Sequence, residues 1–415
     1  MIPVLDVFMT VGGEKVPVGR CRFNLRRGRI GCSFSYDDAY LASPKAFAID
    51  PFLPLRNSVH HCDGLPGAMR DSSPDRWGRH LISRRRAEQA RANGAVAWTL
   101  DEVDYLVGVC DTARQGALRY GASGVDGMLS EQGDVPPLVD LKRLVAASNS
   151  IARGDAAVDQ VKQLLDAGSG SLGGARPKAT VVDDGRLLLA KFSHPGDEWD
   201  VMAWEKTALD IASSAGVAVP RSKLIRLGKD SALVLERFDR DKSLFGGDRI
   251  PYLSGMSLLG ASDGEHRDYA ELAESMEALL ADPKEQEKDL FRRVVVSVVL
   301  HNTDDHLRNI GFVRLAPGWR LSPAFDINPN PDASRSRVTS IYGEVGRAEA
   351  AALKDLAAVC GIDMGEASAI VKNVLASVSC WKIAAQRNGC RDSELRMFAP
   401  VFEKGMRALS AAFSV

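Results

Sequence analysis

Residues 290–309 read LFRRVVVSVVLHNTDDHLRN, an apolar run of helix length that breaks into a polar loop. The pattern over 286–300 predicts a helix, and the loop after it holds Asp304 and Asn309 five positions apart. Phosphotransfer loops use that spacing. A carboxylate there orients and deprotonates a hydroxyl, and the asparagine oxygen is a hard ligand for Mg²⁺. Asp305 stands beside Asp304, so the residues alone leave the base open between the two, with the spacing in favour of Asp304. Asp326 follows 17 residues after Asn309, behind β-like stretches at 311–313 and 319–321, where such a site carries its second metal ligand. One D-x-H-x-x-N match is ordinary loop polarity. Three such elements in order are not.

Upstream, GSGSLGGARPK (168–178) places Gly168, Gly170 and Gly173 as G-x-G-x-x-G. A flexible linker gives the same composition, so the flanks decide. The loop follows a helical stretch and feeds two β-like runs, 179–182 and 187–192, around Asp183-Asp184-Gly185, which predicts a hairpin. A dinucleotide fold needs strand, loop and helix instead, and no Gly-Lys-Ser/Thr of a Walker loop is present. A glycine loop running into a hairpin suits a kinase-like cover for ATP phosphates, with Gly173 and Gly174 closing over them. Lys191 shares a strand face with Leu187 and Leu189, either as the phosphate lysine or as an edge residue with its head in water. Glu205, on a helical pattern over 201–215 ended by Gly216, is either its carboxylate partner or a surface glutamate. SALVLERFDR (231–240) is a strand that turns polar at Glu236, Arg237 and Phe238. It reads equally as an adenine-binding hinge or an ordinary strand end.

The 415 residues exceed one hydrophobic core, and 45% hydrophobic with 26% charged residues is an ordinary globular composition. A net charge of −1 argues against DNA binding by the chain as a whole. Seven scattered cysteines without a CxxC pair suit reduced thiols in the cytoplasm, and His60-His61-Cys62 are adjacent residues that would rarely face one ion. No run reaches the 18 apolar residues of a membrane span, so no membrane association is expected. Strands are predicted over 4–9 and 31–36. Ser73 with Pro74 looks like the cap and first turn of a basic helix, where seven Arg and three acids between 70 and 91 give 7 − 3 = +4. Such a stretch is either a solvated face or a partner-facing one. Residues 121–140, rich in Gly, Ser and Pro, suit a linker, and helical patterns follow at 141–166, 268–281, 286–300, 347–360, 365–387 and 393–413. The expected class is α+β. A small mixed N-terminal subdomain (1–120) and the linker precede a kinase-like β-sheet lobe (141–260) and a mostly helical lobe (261–415).

Several motifs together resemble the HipA family of bacterial toxin kinases: Asp71-Ser72-Ser73-Pro74-Asp75-Arg76-Trp77-Gly78-Arg79, DTARQGALR (111–119), GGARPK (173–178), ERFDR (236–240), DDHLRN (304–309) and FDI (325–327). The resemblance implies an ATP- and Mg²⁺-dependent serine/threonine kinase that phosphorylates an aminoacyl-tRNA synthetase, glutamyl-tRNA synthetase above all, and so halts translation. It implies nucleotide contacts from Ser171, Ala175, Lys178 and His306 beside those already named. Ser171 takes the place of the family's autophosphorylated serine, where a phosphate would repel ATP. A small helix-turn-helix antitoxin is the implied partner, with DNA reached mainly through it. A co-repressor that grips a DNA-bound antitoxin is the competing reading, and a kinase of small molecules or lipids a third. Asp326-Ile327-Asn328 and Thr303-Asp304 depart from the Asp-Phe-Gly and His-Arg-Asp of ordinary kinases, and Arg176-Pro177 stiffens the end of the glycine loop.

Overall fold

The computed structural model describes residues 3–11, 13–26, 29–96, 99–131, 135–156, 158–169, 176–241, 248–346 and 348–415. Its fold is α+β, built as two units: Met1–Gly196 with Leu227–Leu253, and Asp197–Arg226 with Ser254–Val415. These divisions follow packing rather than the sequence boundaries expected at 120, 140 and 260, because the helix at 201–214 packs with the C-terminal helices.

In the first unit, β1 (Val4–Val11), β2 (Glu14–Arg26) and β3 (Arg29–Tyr36) are antiparallel neighbours. Alternation buries Leu5, Val7 and Met9 on one face of β1. The sheet is completed by β4 (His60–Asp63) and β5 (Arg119–Ala122), in the order β4-β3-β2-β1-β5. Along β4, His60 is buried edge-on to Tyr36, while the His61 ring meets Ser33 Oγ at 3.0 Å on the other face. The strand pleat therefore turns His61 away from the face that His60 and Cys62 share.

Helices α1 (Asp38–Ala42), α2 (Gly67–Asp71), α3 (Arg76–Ala92) and α4 (Glu102–Gly108) belong to the same unit. The basic helix α3 does not start as its sequence suggests. Asp75, not Ser73, is the N-cap, accepting from Gly78 N–H at 2.7 Å, and Ser73 Oγ donates instead to the Met69 carbonyl. A carboxylate at the positive helix end outcompetes a hydroxyl two residues earlier. The motif at 111–119 is structural: Arg114 is fully buried and donates to the carbonyls of Ser72, Leu106 and Val109, while Asp111 pairs with Arg119 at 2.6 Å and Arg249 at 2.9 Å.

The helical pattern at 141–166 is two helices, α5 (Leu141–Arg153) and α6 (Val158–Asp166), with Gly154 left-handed at the end of the first. The expected hairpin follows as β6 (Lys178–Asp183) and β7 (Arg186–Phe192). Asp184 and Gly185 have φ of 45° and 70°, as a two-residue turn with both central residues left-handed requires. After β8 (Ser222–Leu227), β9 (Asp230–Glu236) runs antiparallel to β7.

The second unit begins with α7 (Val201–Ser214), capped by Asp200. Beyond β10 (Tyr252–Ser254) come α8 (Gly255–Leu258), α9 (Tyr269–Leu279) and α10 (Pro283–Val299), then the hairpin β11 (Gly311–Leu315) and β12 (Gly318–Leu321). Last are α11 (Glu349–Val359), α12 (Met364–Ser379), α13 (Trp381–Arg387) and α14 (Asp392–Phe413), so the expected helix at 365–387 breaks at Cys380. Trp204 of α7 stacks on Phe398 of α14 with ring centroids 3.7 Å apart, against Trp381 and Phe402. Burying each such ring stabilises the unit by about 1.5–3 kcal/mol. Among the described residues, no helix is long and apolar enough to cross a membrane.

Candidate active site

Valine is a poor helix former, yet the run at 294–299 completes α10 because each of its side chains is buried. The chain then turns sharply. His301 adopts φ of 49°, and its ring and carbonyl both engage Asn330, at 2.7 and 3.1 Å. Asp304 lies in the irregular stretch that follows, open to solvent along one edge. A 3₁₀ turn (Leu307–Asn309) brings Asn309 back, so that its Nδ2 donates to the Asp304 carbonyl at 3.1 Å. That engages one hydrogen of the amide nitrogen and turns the amide oxygen the other way.

Asp326 sits in the left-handed region at φ of 60°, a conformation that costs a non-glycine residue about 1–3 kcal/mol and is kept where surroundings enforce it. Asn328 supplies part of that constraint, donating to Asp326 Oδ1 at 2.8 Å while its own N–H donates to the Asn302 side chain at 3.3 Å. The loop of Asp304 and the loop of Asp326 are thereby cross-linked. Partial burial pushes the Asp304 carboxyl up first; His306 and Arg335 oppose the shift, while Asp326 and Asp305 add to it. Asp304, Asn309 and Asp326 are thus gathered in one place. Among the described residues no three His, Cys, Asp or Glu side chains converge, so a cation here would draw on the Asn309 amide oxygen beside the Asp326 carboxylate. Hard oxygen donors of that kind suit Mg²⁺.

Asp305, which the sequence left in competition with Asp304, is occupied otherwise. Its Oδ2 accepts from Tyr269 Oη at 2.5 Å and Ser297 Oγ at 2.6 Å, with the Arg337 guanidinium at 3.7 Å. One carboxylate is thus tied inward while the other stays at the surface. Nothing in the sequence marks Arg337, 32 positions away, as the partner; Asn302 and Asn328 were equally silent.

In the first unit, Lys178 and Lys191 are direct cross-strand partners on β6 and β7, both nearly fully buried. Like charges so placed repel unless an anion or carboxylate intervenes. Asp75 holds the Lys178 ammonium at 2.8 Å. Trp77 Nε1 donates to Ser169 Oγ at 3.0 Å, and Ser169 Oγ donates to the Lys178 carbonyl. The sequence found Lys191 by strand alternation and had no signal for Asp75. Glu236 ends β9 and pairs with Arg186 at 3.2 Å, and Phe238 tilts against Tyr252. Arg237 spends its guanidinium on Asp239 and the carbonyls of Ala113 and Arg114, which leaves only its backbone for a ligand. In the second unit, Glu205 is buried on α7. His306 flanks Asp304, and its buried Nδ1 has no hydrogen-bond partner among the described residues. Ser171, Gly173, Gly174 and Ala175 lie outside the described residues.

The family model for the HipA-like C-terminal domain matches residues 170–381, and that for the HipA N-terminal domain matches residues 10–118. A Haemophilus influenzae protein named "Putative kinase" is 27% identical over 152 residues, 33% of this chain and 44% of that protein; the chain thus spans less than half of that relative's length. The HipA toxin of Shewanella oneidensis, solved with HipB and operator DNA, superposes with a TM-score of 0.70 over 99% of this chain and 97% of that one, at 15% identity, a likeness of fold. A proinflammatory kinase of Helicobacter pylori superposes with a TM-score of only 0.37, at 14% identity, over 57% of this chain and 94% of its own. With one family model covering half the chain and a second covering most of the rest, the protein belongs to the HipA family.

Proposed function

We propose that the chain is an ATP- and Mg²⁺-dependent serine/threonine protein kinase, the toxin of a toxin–antitoxin pair. The observation that carries this reading is the gathering of Asp304, Asn309 and Asp326 on two cross-linked loops. Asp304 accepts the proton of the acceptor hydroxyl. Asn309 and Asp326 would hold Mg²⁺, which when bound would supply positive charge to the phosphate oxygens. Lys191 neutralises phosphate charge. Family membership supports nucleotide contacts from Ser171, Gly173, Gly174, Ala175 and Lys178, from backbone groups at Glu236, Arg237 and Phe238, and from His306. Family membership supports an aminoacyl-tRNA synthetase as substrate, glutamyl-tRNA synthetase first. It also supports a helix-turn-helix antitoxin as partner, in line with the HipB and operator DNA of the Shewanella complex. Phosphorylation of Ser171 would set phosphate charge against ATP and switch the protein off.

Asp304→Asn should abolish phosphoryl transfer from labelled ATP to protein serine while nucleotide binding survives. Full transfer by that variant would remove the assignment. A co-repressor role is compatible with the same complex: the chain should then tighten antitoxin binding to operator DNA at fixed salt, in wild type and Asp304→Asn alike.

A further inference from the structure

The stretch after Asp326 is laced to the loop of Asp304 by contacts that require no added group. Asn330 N–H donates to the His301 carbonyl (3.1 Å) and Val338 N–H to the Thr303 carbonyl (3.0 Å). Thr339 Oγ1 donates to the Asp305 carbonyl at 2.6 Å. Ser340 bridges Arg267 and Asp268, and Asp268 also accepts from the amides of Tyr342 (3.1 Å) and Gly343 (2.7 Å). At the centre lies Arg337, with 1% of its side chain exposed. Its guanidinium donates to Ser297 Oγ at 2.8 Å and to the Asn302 carbonyl at 3.2 Å, with Asp305 at 3.7 Å and Glu349 at 3.4 Å.

A guanidinium so enclosed needs anionic partners, because an unpaired buried charge is strongly disfavoured. The chain supplies two of its own carboxylates for this one cation. Asp305 is the immediate neighbour of Asp304, so whatever fixes the side chain and carbonyl of Asp305 also fixes the direction in which Asp304 leaves the backbone.

We propose that Asp305 and Arg337 are positioning residues: a buried ion-pair clamp that aims Asp304 and holds residues 330–345 in working conformation without a covalently attached phosphate. The positioning part rests on the kinase reading, whereas the clamp itself does not. Elsewhere a phosphate on a loop can meet a loop arginine and order the segment; here the arginine belongs to the segment and the acid to the loop.

The test compares Arg337→Met, Arg337→Lys and Asp305→Asn with wild type in turnover, KM and nucleotide affinity. Melting temperatures identify any variant that has merely failed to fold. Arg337→Met should lose about 100-fold in kcat, the scale of a misplaced catalytic group, with nucleotide affinity within about threefold. Arg337→Lys should recover at least about tenfold of that loss, since it restores the charge but not the fork. Turnover in Arg337→Met within about threefold of wild type, or parallel loss of turnover and affinity without rescue by lysine, overturns the positioning role. Wild type treated with a broad-specificity phosphatase should be as active as before or more so; a loss of activity overturns the phosphate-free claim. If the wild type transfers no phosphoryl group, the kinase reading fails on its own account, and hydrogen exchange still tests the clamp. The amides of Asn330 and Val338 should exchange faster in folded Arg337→Met than in wild type, and equal rates overturn it.

Discussion

Asp239 is fully enclosed, yet it stays charged. Its carboxylate pairs with Arg237 at 2.6 Å and Arg240 at 2.9 Å and accepts from Gly116 N–H at 2.8 Å. Burial by itself would raise the carboxyl, but the two guanidinium groups outweigh it and hold the group well below the usual carboxylate range. A depressed folded value means that the stabilisation is fully present above the unfolded value of about 3.9 and is lost as the pH falls toward the folded one. Asp239→Asn should therefore cost about 3–5 kcal/mol at neutral pH, because it leaves two buried cations under-compensated. It should also flatten the decline of stability below about pH 4, read from urea midpoints across pH. An acid slope identical to that of wild type would remove Asp239 from the account. The cysteines make a second residue-scale case. Burial pushes the thiols of Cys360 and Cys390 up to about 12, whereas Cys380 is exposed. A thiol reagent near neutral pH should modify Cys380 first, by peptide mapping, and reach Cys360 and Cys390 only after unfolding.

Among the elements, α10 and α14 show how a loop is aimed from behind. A Cβ on Gly405 would lie 3.0 Å from the Val299 carbonyl oxygen, so this glycine lets α14 close on the last turn before the Asp304 loop. Phe398→Ala, one helical stretch earlier, should cost about 3–5 kcal/mol in chemical denaturation; a loss below about 1 kcal/mol would mean that the ring stack contributes little. Such packing also explains what the sequence could disclose. The hairpin β6–β7 was legible because the Asp-Asp-Gly turn and its flanking apolar runs are local signals, and α10 because its apolar run is long. Strand β2 was missed because Lys15, Arg20, Arg22 and Asn24 line its outer face, leaving only Val18, Cys21 and Phe23 to mark the core. At the candidate site, Asp304, Asn309 and Asp326 were readable from spacing, since one loop and one hairpin separate them. Asp75 beneath Lys178 spans 103 positions and Asp305 with Arg337 spans 32, and no periodicity encodes a contact between loops at such range.

For the whole molecule, the decisive fact is the path of the chain, which passes between its two units at 196/197, 226/227 and 253/254. The second unit takes Trp204 from the earlier of its two pieces and Phe398, Phe402 and Trp381 from the later. A fragment of residues 254–415 alone therefore lacks the ring that three of its aromatic side chains pack against. It should bind a hydrophobic dye and lack sharp near-ultraviolet dichroism, behaviour expected of a collapsed chain without fixed packing. Adding a peptide of residues 197–226 should restore part of the signal; a fragment that folds cooperatively by itself would show that α7 is dispensable. The stack of Trp204 on Phe398 also has a historical consequence. One gene joining between those two positions, from unlike parents, would set the indole against an aromatic cage it had not been packed with, a mismatch in the core of the second unit.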